Sequence, residues 1–96
     1  MFKELDPILH SQLRLSIVSI LMTVEEAEFT FIKESTGAAA GNISIQIKKL
    51  QEAGYVKVVK TFKNNYPNTT VSITSKGIKG FENYINDLKK YINPKK

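Results

Sequence analysis

Apolar residues recur along this chain at two different spacings, and the two spacings separate helical segments from extended ones. Within about 39–53 the apolar positions lie three or four residues apart, which predicts a helix with one core-facing side. Those positions are Ile43, Ile47 and Leu50. Residues 55–74 instead carry β-branched and aromatic side chains on either side of a polar turn at 63–68, which predicts a hairpin of two strands.

The N-terminal segment predicts a longer helix that is apolar on two sides. Asp6 can cap this helix with Pro7 in its first turn, and the apolar spacing continues to about Val24. One stripe consists of Leu9, Leu13, Ile17, Ile20 and Val24, and the second of Ile8, Leu15, Val18 and Met22. Because a domain of this size has one core, the second stripe is predicted to face a partner.

A short second helix is expected after an acidic connector. Thr30 is the predicted cap, and Gly37 is expected to end the helix in the left-handed conformation that glycine adopts readily. Ile32 and one of two phenylalanines, Phe29 or Phe31, should pack inward. Phe29 can also add a short strand beside the hairpin.

The C-terminal segment, at about 75–92, predicts a helix with an extended apolar seam. Its cap is Thr74 or Ser75. Apolar residues lie alternately three and four positions apart, which is the spacing of a helix–helix contact. The seam consists of Ile78, Phe81, Ile85, Leu88 and Ile92, and it is widened by Tyr84 and Tyr91.

Together these elements predict a mostly α fold with a small β-hairpin, arranged as a winged helix-turn-helix in one domain spanning 1–96. The recognition helix is expected at about 39–53, the wing at about 55–74 and the last helix at about 75–92. In this arrangement a helix and a ribbon tip can approach a DNA duplex together.

Composition excludes several classes of protein. Of the 96 residues 42% are hydrophobic and 24% are charged, as in an ordinary globular domain. The absence of cysteine excludes disulfides, thiolate zinc sites and cysteine nucleophiles. No apolar run of about 18 residues occurs, and the first residues lack an apolar signal core. We expect a cytoplasmic protein with no membrane segment, no metal and no cofactor.

The side chains that could support catalysis do not form a recognisable site. His10 lies beside apolar positions and has no second histidine or cysteine with which to share a metal, so a packing or interface role is favoured over a catalytic one. Glu25, Glu26 and Glu28 lie together in the connector, where a solvated charge run is the usual outcome. We therefore predict a protein without enzymatic activity.

Positive charge is concentrated in the helix–hairpin segment. The formal net charge is +5, but residues 1–40 hold three basic and six acidic groups, which gives −3. Residues 41–80 hold seven lysines and one glutamate, which gives +6. Such a concentration is expected for a polyanion partner. The alternative is a lysine-rich surface that serves solubility, and charge alone favours neither.

The solvent side of the predicted recognition helix has the residue types that DNA reading requires. Short polar side chains can meet base edges, and cations can meet phosphates. The candidates are Asn42, Ser44 and Gln46 for base edges, Ile45 for a thymine methyl, Lys48 and Lys49 for phosphates, and the backbone near Gly41 for a further phosphate. The alternative for the polar residues is an ordinary hydrated helix face.

The polar turn of the hairpin is the second candidate contact. Its residues can reach phosphates or lie along the minor groove. The candidates are Lys60, Lys63, Asn64, Asn65, Tyr66 and Asn68. Because asparagine and proline are common turn residues, a plain hairpin loop is the alternative. The turn has no arginine, which argues against strong insertion into the minor groove.

Several motifs resemble those of the MarR/ArsR-like winged helix transcriptional regulators, especially the small branch of winged helix DNA-binding domains. The matching segments are Leu9-His10-Ser11-Gln12-Leu13-Arg14, Gly41-Asn42-Ile43-Ser44, the run KKLQEAGYV from Lys48, and the return strand TTVSITSKG from Thr69. The resemblance covers nearly the whole chain. It implies a recognition role for the helix at 39–53 and a wing role for the hairpin.

The resemblance also implies a homodimer whose interface is formed by the first and last helices. Such a dimer binds double-stranded DNA through its two recognition helices. The predicted dimer contact comprises Ile8, Leu15, Val18, Met22, Phe81, Tyr84, Ile85, Leu88, Tyr91 and Ile92. Nothing in the sequence names an operator or a small-molecule effector. The competing interpretation is a winged helix that binds a protein through its exposed Ile45 face or its last helix.

Two departures from the family motif affect the DNA contacts. Ala38, Ala39 and Ala40 stand where the family often has a threonine, serine or aspartate, which removes a side-chain cap from the recognition helix. The wing also lacks the arginine that the family usually has there. We expect weaker or differently distributed DNA contacts, on an unchanged fold.

Overall fold

The computed structural model describes residues 2–93, which form four helices and one three-stranded antiparallel sheet. The helices are α1 (Gln12–Leu21), α2 (Phe29–Thr36), α3 (Ala40–Glu52) and α4 (Ser75–Ile92). The strands are β1 (Ala27–Glu28), β2 (Val56–Lys63) and β3 (Tyr66–Ile73), with β3 in the centre. This order of elements confirms the predicted winged helix-turn-helix.

The hydrophobic core lies where α1, α2 and α3 meet the inner face of the sheet. The three predicted core positions of α3, Ile43, Ile47 and Leu50, are all buried, which confirms the helical spacing. The other buried apolar residues are Leu9, Ile17, Val18, Leu21, Ala27, Ile32, Val56, Val71 and Tyr84. Because the apolar side of α3 is held in this core, its opposite side faces solvent.

The predicted first helix from Pro7 to Val24 is wrong at both ends. Residues 7–10 form a separate turn, and Ser11 is extended, with φ −151° and ψ 126°. The helix proper begins at Gln12 and ends at Leu21. The helical spacing of apolar residues therefore continues through Ser11, although the helix itself does not, and the spacing alone gives no sign of this break.

Hydrogen bonds hold the separate turn and the residue before it, including one from a distant part of the chain. The Oδ1 atom of Asp6 accepts the N–H of Ile8 at 2.8 Å, and the Asp6 carbonyl accepts the N–H of His10 at 2.8 Å. The Tyr55 hydroxyl donates to the second carboxylate oxygen of Asp6, and Arg14 donates to the Ile8 carbonyl. Burial, and then the bond and charge of Asp6, raise the pKa of Tyr55 to about 12, so this hydroxyl keeps its proton.

Two residues assigned to the dimer contact are buried within the single chain. Val18 is fully buried, and Tyr84 is only 4% exposed, with its hydroxyl 3.1 Å from Nδ1 of His10. Neither side chain presents surface to a second copy, so both assignments are wrong. For Val18 the reason is that α1 is buried over a wider arc than one stripe, since Leu21, which belongs to neither predicted stripe, is also buried.

The second helix differs from its prediction only at its start. It begins at Phe29, directly after β1, and its N-cap residue is Glu28 rather than Thr30. Gly37 ends it with φ 74°, as predicted. Phe29 packs against the core and Phe31 is 50% exposed, which resolves the alternative between the two phenylalanines.

The turn of the hairpin is tighter than predicted. Only Asn64 and Asn65 separate the strands, and their φ values of 53° and 68° are those of a type I′ turn. Lys63 pairs with Tyr66 across this turn, so Pro67 lies inside β3 and not in the turn. Pro67 there occupies a position that donates no bond to β2, so its missing N–H disrupts no ladder bond. The longer strands extend the wing beyond the core.

Thr74 caps α4, which confirms one of the two predicted caps. Its Oγ1 atom accepts the N–H of Gly77 at 3.0 Å and donates to the Gly54 carbonyl at 2.7 Å. The first turn of α4 passes so close to Tyr55 that a Cβ atom at Gly77 would overlap the Tyr55 carbonyl oxygen. The absence of a side chain at Gly77 therefore lets α4 dock beside β2.

We expect Gly77→Ala to lower the free energy of unfolding by about 1–3 kcal/mol, because the added methyl forces packed backbone apart. Chemical denaturation of the variant and the parent measures the difference. Gly41→Ala is the matched control: its Cβ would meet nothing within 4 Å, and alanine should stabilise the helix by roughly 0.5–1 kcal/mol. Equal stability of Gly77→Ala and the parent would contradict the close approach.

The second half of α4 extends away from the core and contributes to overall dimensions of 55 × 25 × 21 Å. Leu88 is half-buried, whereas Tyr91 is 45% and Ile92 is 74% exposed. The Tyr91 hydroxyl donates to the Lys3 carbonyl at 2.6 Å, so the N-terminal segment runs along this end of the helix. Across residues 2–93, no helix is both long and apolar enough to cross a membrane.

Candidate nucleic-acid interface

The exposed side of α3 carries most of the predicted recognition residues. Gly37 ends α2, and after a short link α3 begins at Ala40 with its apolar side buried. The residues that project from the opposite side as exposed side chains are Asn42, Ser44, Ile45, Lys48 and Lys49. Ile45 is 55% exposed, which is unusual for an isoleucine and marks it as available for an apolar contact.

The start of α3 leaves backbone donors without a side-chain partner. Its N-cap residue is Ala39, and no side chain caps the helix there. Gly41 lies in the first turn and is exposed. Since the first N–H groups of a helix lack partners within the helix, they can donate to a negatively charged group bound at this end.

Lys60 faces α3 across a groove. Val58 pairs with Val71, and two positions further along the hairpin Lys60 pairs with Thr69. Because side chains two positions apart in a strand lie on the same face, and because Val71 is buried, both pairs lie on the inner face of the sheet. The groove between this face and α3 is lined by Phe29, Ser44, Ile47, Lys48, Gln51, Val58, Lys60 and Thr69. Lysines from the helix and from the wing therefore line the same groove.

Lys63 lies on the opposite, outer face of the wing. Its Nζ atom is 3.2 Å from Oε2 of Glu28, and the two side chains are 66% and 42% exposed. This pair joins the wing to β1, and Glu28 offsets part of the Lys63 charge. By the strand alternation Tyr66 and Asn68 share this outer face. The wing residues predicted from sequence are thus divided between two faces and the tip.

Arg14 is hydrogen-bonded to a residue of the candidate interface, although the sequence interpretation gave it no role there. Its Nη1 atom donates to Oε1 of Gln46 at 2.6 Å, and Nε2 of Gln46 donates to Oδ1 of Asn42 at 2.9 Å. Gln46 is half-buried, unlike its exposed neighbours on α3. The signal that could have suggested Arg14 is that it is the single arginine in a chain whose other basic residues are lysines.

Phe62 is a second residue that the sequence interpretation missed. It pairs with Pro67 near the wing tip and is 78% exposed. By alternation it lies on the same face as Lys60. The wing extends past the core at this point, so the Phe62 side chain is left in solvent beside the basic groove.

A helix-turn-helix with an exposed polar helix face, next to a hairpin that shares a lysine-lined groove with it, defines a winged helix DNA-binding module. The family described as winged helix DNA-binding domain matches residues 13–92. The chain belongs to this family.

Individual relatives agree with this assignment. An uncharacterized protein of Methanocaldococcus jannaschii is 35% identical over 81 residues, which are 84% of this chain and 88% of that protein. The structure of a transcriptional regulator homologue from Pyrococcus horikoshii OT3 has a TM-score of 0.84 at 30% identity, covering 91% of this chain and 86% of that one.

A more distant match extends the comparison of folds. MarR from E. coli, in a crystal structure with operator DNA, has a TM-score of 0.75 at 11% identity, covering 93% of this chain and 63% of that one. At this identity the match concerns the fold. The match therefore shows that this chain shares the winged helix fold of MarR, while its membership of the winged helix DNA-binding domain family rests on the family model and on the 35% identical relative.

Proposed function

We propose that the protein is a dimeric, sequence-specific repressor that acts in the cytoplasm by binding double-stranded DNA at promoters. The observation that carries this proposal is the continuous polar and basic surface made by the exposed side of α3 and the inner face of the wing. The proposal includes no catalytic step, no metal and no cofactor.

In this proposal α3 enters the major groove. Asn42 and Ser44 lie at its exposed N-terminal part and meet base edges, while Ile45 contacts a thymine methyl. Lys48 and Lys49 follow one turn later and contact phosphates, which position the helix without reading sequence. Gln46 is not assigned to a base edge in this proposal, since both the oxygen and the nitrogen of its amide are already bonded within the chain.

The wing contacts the flanking backbone or the minor groove. Lys60 contacts the DNA from the inner face, together with Phe62, which the sequence interpretation had missed. The tip and outer face supply Lys63, Asn64, Asn65, Tyr66 and Asn68. The asparagines of the tip have a structural reason to be there, because a type I′ turn requires two residues with positive φ. Lys60 is therefore the wing residue with the strongest support.

The proposed dimer contact is the part of α1 and α4 that the single chain leaves uncovered. Met22, Phe81 and Ile85 line a shallow groove between the two helices, and Tyr91 and Ile92 continue the apolar surface along α4. Ile8, Leu15 and Leu88 are half-buried and complete the proposed contact. Such a dimer would present two copies of α3 to half-sites about 34 Å apart.

Selection from a pool of random duplexes, followed by sequencing at two salt concentrations, tests the function. We expect enrichment of a palindromic site whose half-sites lie about ten base pairs apart. Salt-sensitive binding without enrichment would contradict sequence specificity and would indicate an architectural role. No binding at either salt would favour the competing function, a protein-binding module that uses the exposed Ile45 or Ile92.

A further inference from the structure

A relay of hydrogen bonds connects α1 to the proposed reading surface, from Arg14 through Gln46 to Asn42. We propose that Arg14 is a positioning residue for base recognition: it fixes the orientation of both amides, and thereby the kind of base edge that Asn42 reads. This inference rests on the proposed function, because the orientation of Asn42 affects recognition only if α3 reads bases.

The relay determines which end of each amide points where. A guanidinium group can only donate hydrogen bonds, so the Gln46 atom beside Arg14 has to be the oxygen. The Gln46 nitrogen is then directed to Asn42, and a nitrogen donor requires the Asn42 oxygen as its acceptor. The usual freedom to exchange the oxygen and nitrogen of an amide by rotation is removed at both residues.

The consequence for recognition concerns the free end of Asn42. Its oxygen is engaged by Gln46, and its Nδ2 group donates to nothing within residues 2–93, while the side chain is exposed. A fixed N–H donor matches the acceptors that guanine, adenine and thymine present in the major groove, whereas cytosine presents a donor there. We therefore expect cytosine to be disfavoured at the base that Asn42 contacts.

Arg14 itself is committed to contacts inside the protein. Its Nε atom donates to the Ile8 carbonyl at 2.7 Å and its Nη2 atom to the Pro7 carbonyl at 3.4 Å, so it anchors the turn at 7–10 while it holds Gln46. It is half-buried. Arg14 should therefore act on base preference without contacting a phosphate, and a variant that keeps its charge should leave the salt dependence of binding unchanged.

The test compares base preferences after selection from random duplexes. Asn42→Ala first identifies the base position that Asn42 reads. Arg14→Lys keeps the charge but loses the planar fork, and we expect discrimination against cytosine at that position to fall about 5- to 10-fold. Asp6→Ala is the matched control, because it loosens the same turn without touching Gln46, and it should keep the preference of the parent.

A second variant tests the other link and does not require Arg14 to be changed. Gln46→Glu can still accept from Arg14 but has no hydrogen to donate to Asn42, so the same base position should lose its preference. In the free protein, Arg14→Lys should also shift the side-chain amide resonances of Gln46 and Asn42 in NMR spectra. This measurement does not require DNA, and we expect no such shift of the two amide resonances in Asp6→Ala.

The possible outcomes separate the relay from the proposed function. Unchanged amide resonances in Arg14→Lys, or an unchanged base preference in Gln46→Glu, would overturn the relay while leaving DNA binding intact. Equal losses of preference in Arg14→Lys and Asp6→Ala would overturn it too, since general loosening of the turn would then be the cause. A parent protein that enriches no sequence would overturn the proposed function, and the role of Arg14 in recognition with it.

Discussion

Replacing Lys48 and Lys49 together with alanine should weaken binding to every DNA sequence at least about 100-fold, because each of the two lost bonds to a charged group contributes about 1.5–3 kcal/mol. The slope of log affinity against log salt should become shallower by about 1 for each lysine lost, or about 4 for a dimer. Fluorescence anisotropy with a selected site and a scrambled duplex, at several salt concentrations, measures both quantities.

The control for this prediction removes the same charge elsewhere. Lys57 lies on the outer face of β2 and Lys79 on α4, and both are exposed. The double variant Lys57→Ala with Lys79→Ala should keep most of the affinity and nearly the full salt slope. Equal losses in the two double variants would mean that the positive charge acts as a whole, as expected for a lysine-rich surface that serves solubility.

Placing a charge in the proposed dimer contact should produce monomers. Leu88→Glu puts a carboxylate in the apolar surface of α4, where a second copy would have to bury it without a partner. We expect sedimentation velocity to show a monomer, and affinity for a palindromic site to fall at least about 100-fold because the two half-sites are no longer linked. A variant that remains dimeric would exclude this surface as the dimer contact.

Two further variants separate loss of the dimer from loss of the fold. Leu88 is half-buried in the single chain, so its replacement can also destabilise the protomer. Ile92 is 74% exposed, so Ile92→Glu should disrupt a dimer with little effect on protomer stability. Phe31→Glu, at a 50% exposed position on α2, changes the surface outside the proposed contact and should stay dimeric.

The sequence predicted best those elements that are specified by residues close together in the chain. The core side of α3 followed from the spacing of Ile43, Ile47 and Leu50, and the end of α2 followed from Gly37. The two strands followed from their β-branched and alternating residues. In each case the physical cause is local: helical or extended periodicity, or a glycine that adopts positive φ at low cost.

The sequence predicted poorly those features that depend on packing between distant segments. The first helix breaks at Ser11, and the segment before it is bonded through Asp6 to Tyr55, 49 positions away, as well as to Arg14 of α1. Val18 and Tyr84 were assigned to a dimer contact because apolar spacing identifies buried faces but not what buries them. In the folded chain both are covered by the protein's own core.

The candidate interface shows the same division. Its residue types on α3 could be read from the sequence, because the buried stripe determines which side of a helix is exposed. The division of wing residues between two faces follows from the strand register, which a slip of one residue would have reversed. The role of Arg14 depends on the approach of α1 to α3, across 32 positions of sequence.

By itself the sequence determined the class of fold, the helix that presents a polar and basic face, and the presence of a hairpin wing beside it. Periodicity and local turn chemistry are sufficient for these features because they act over a few residues. Only the tertiary structure decided which lysine shares a groove with α3, which apolar residues remain uncovered, and how the amides of Asn42 and Gln46 are oriented. Those features arise when segments far apart in the chain pack together, and their contacts are set by the geometry of the whole core.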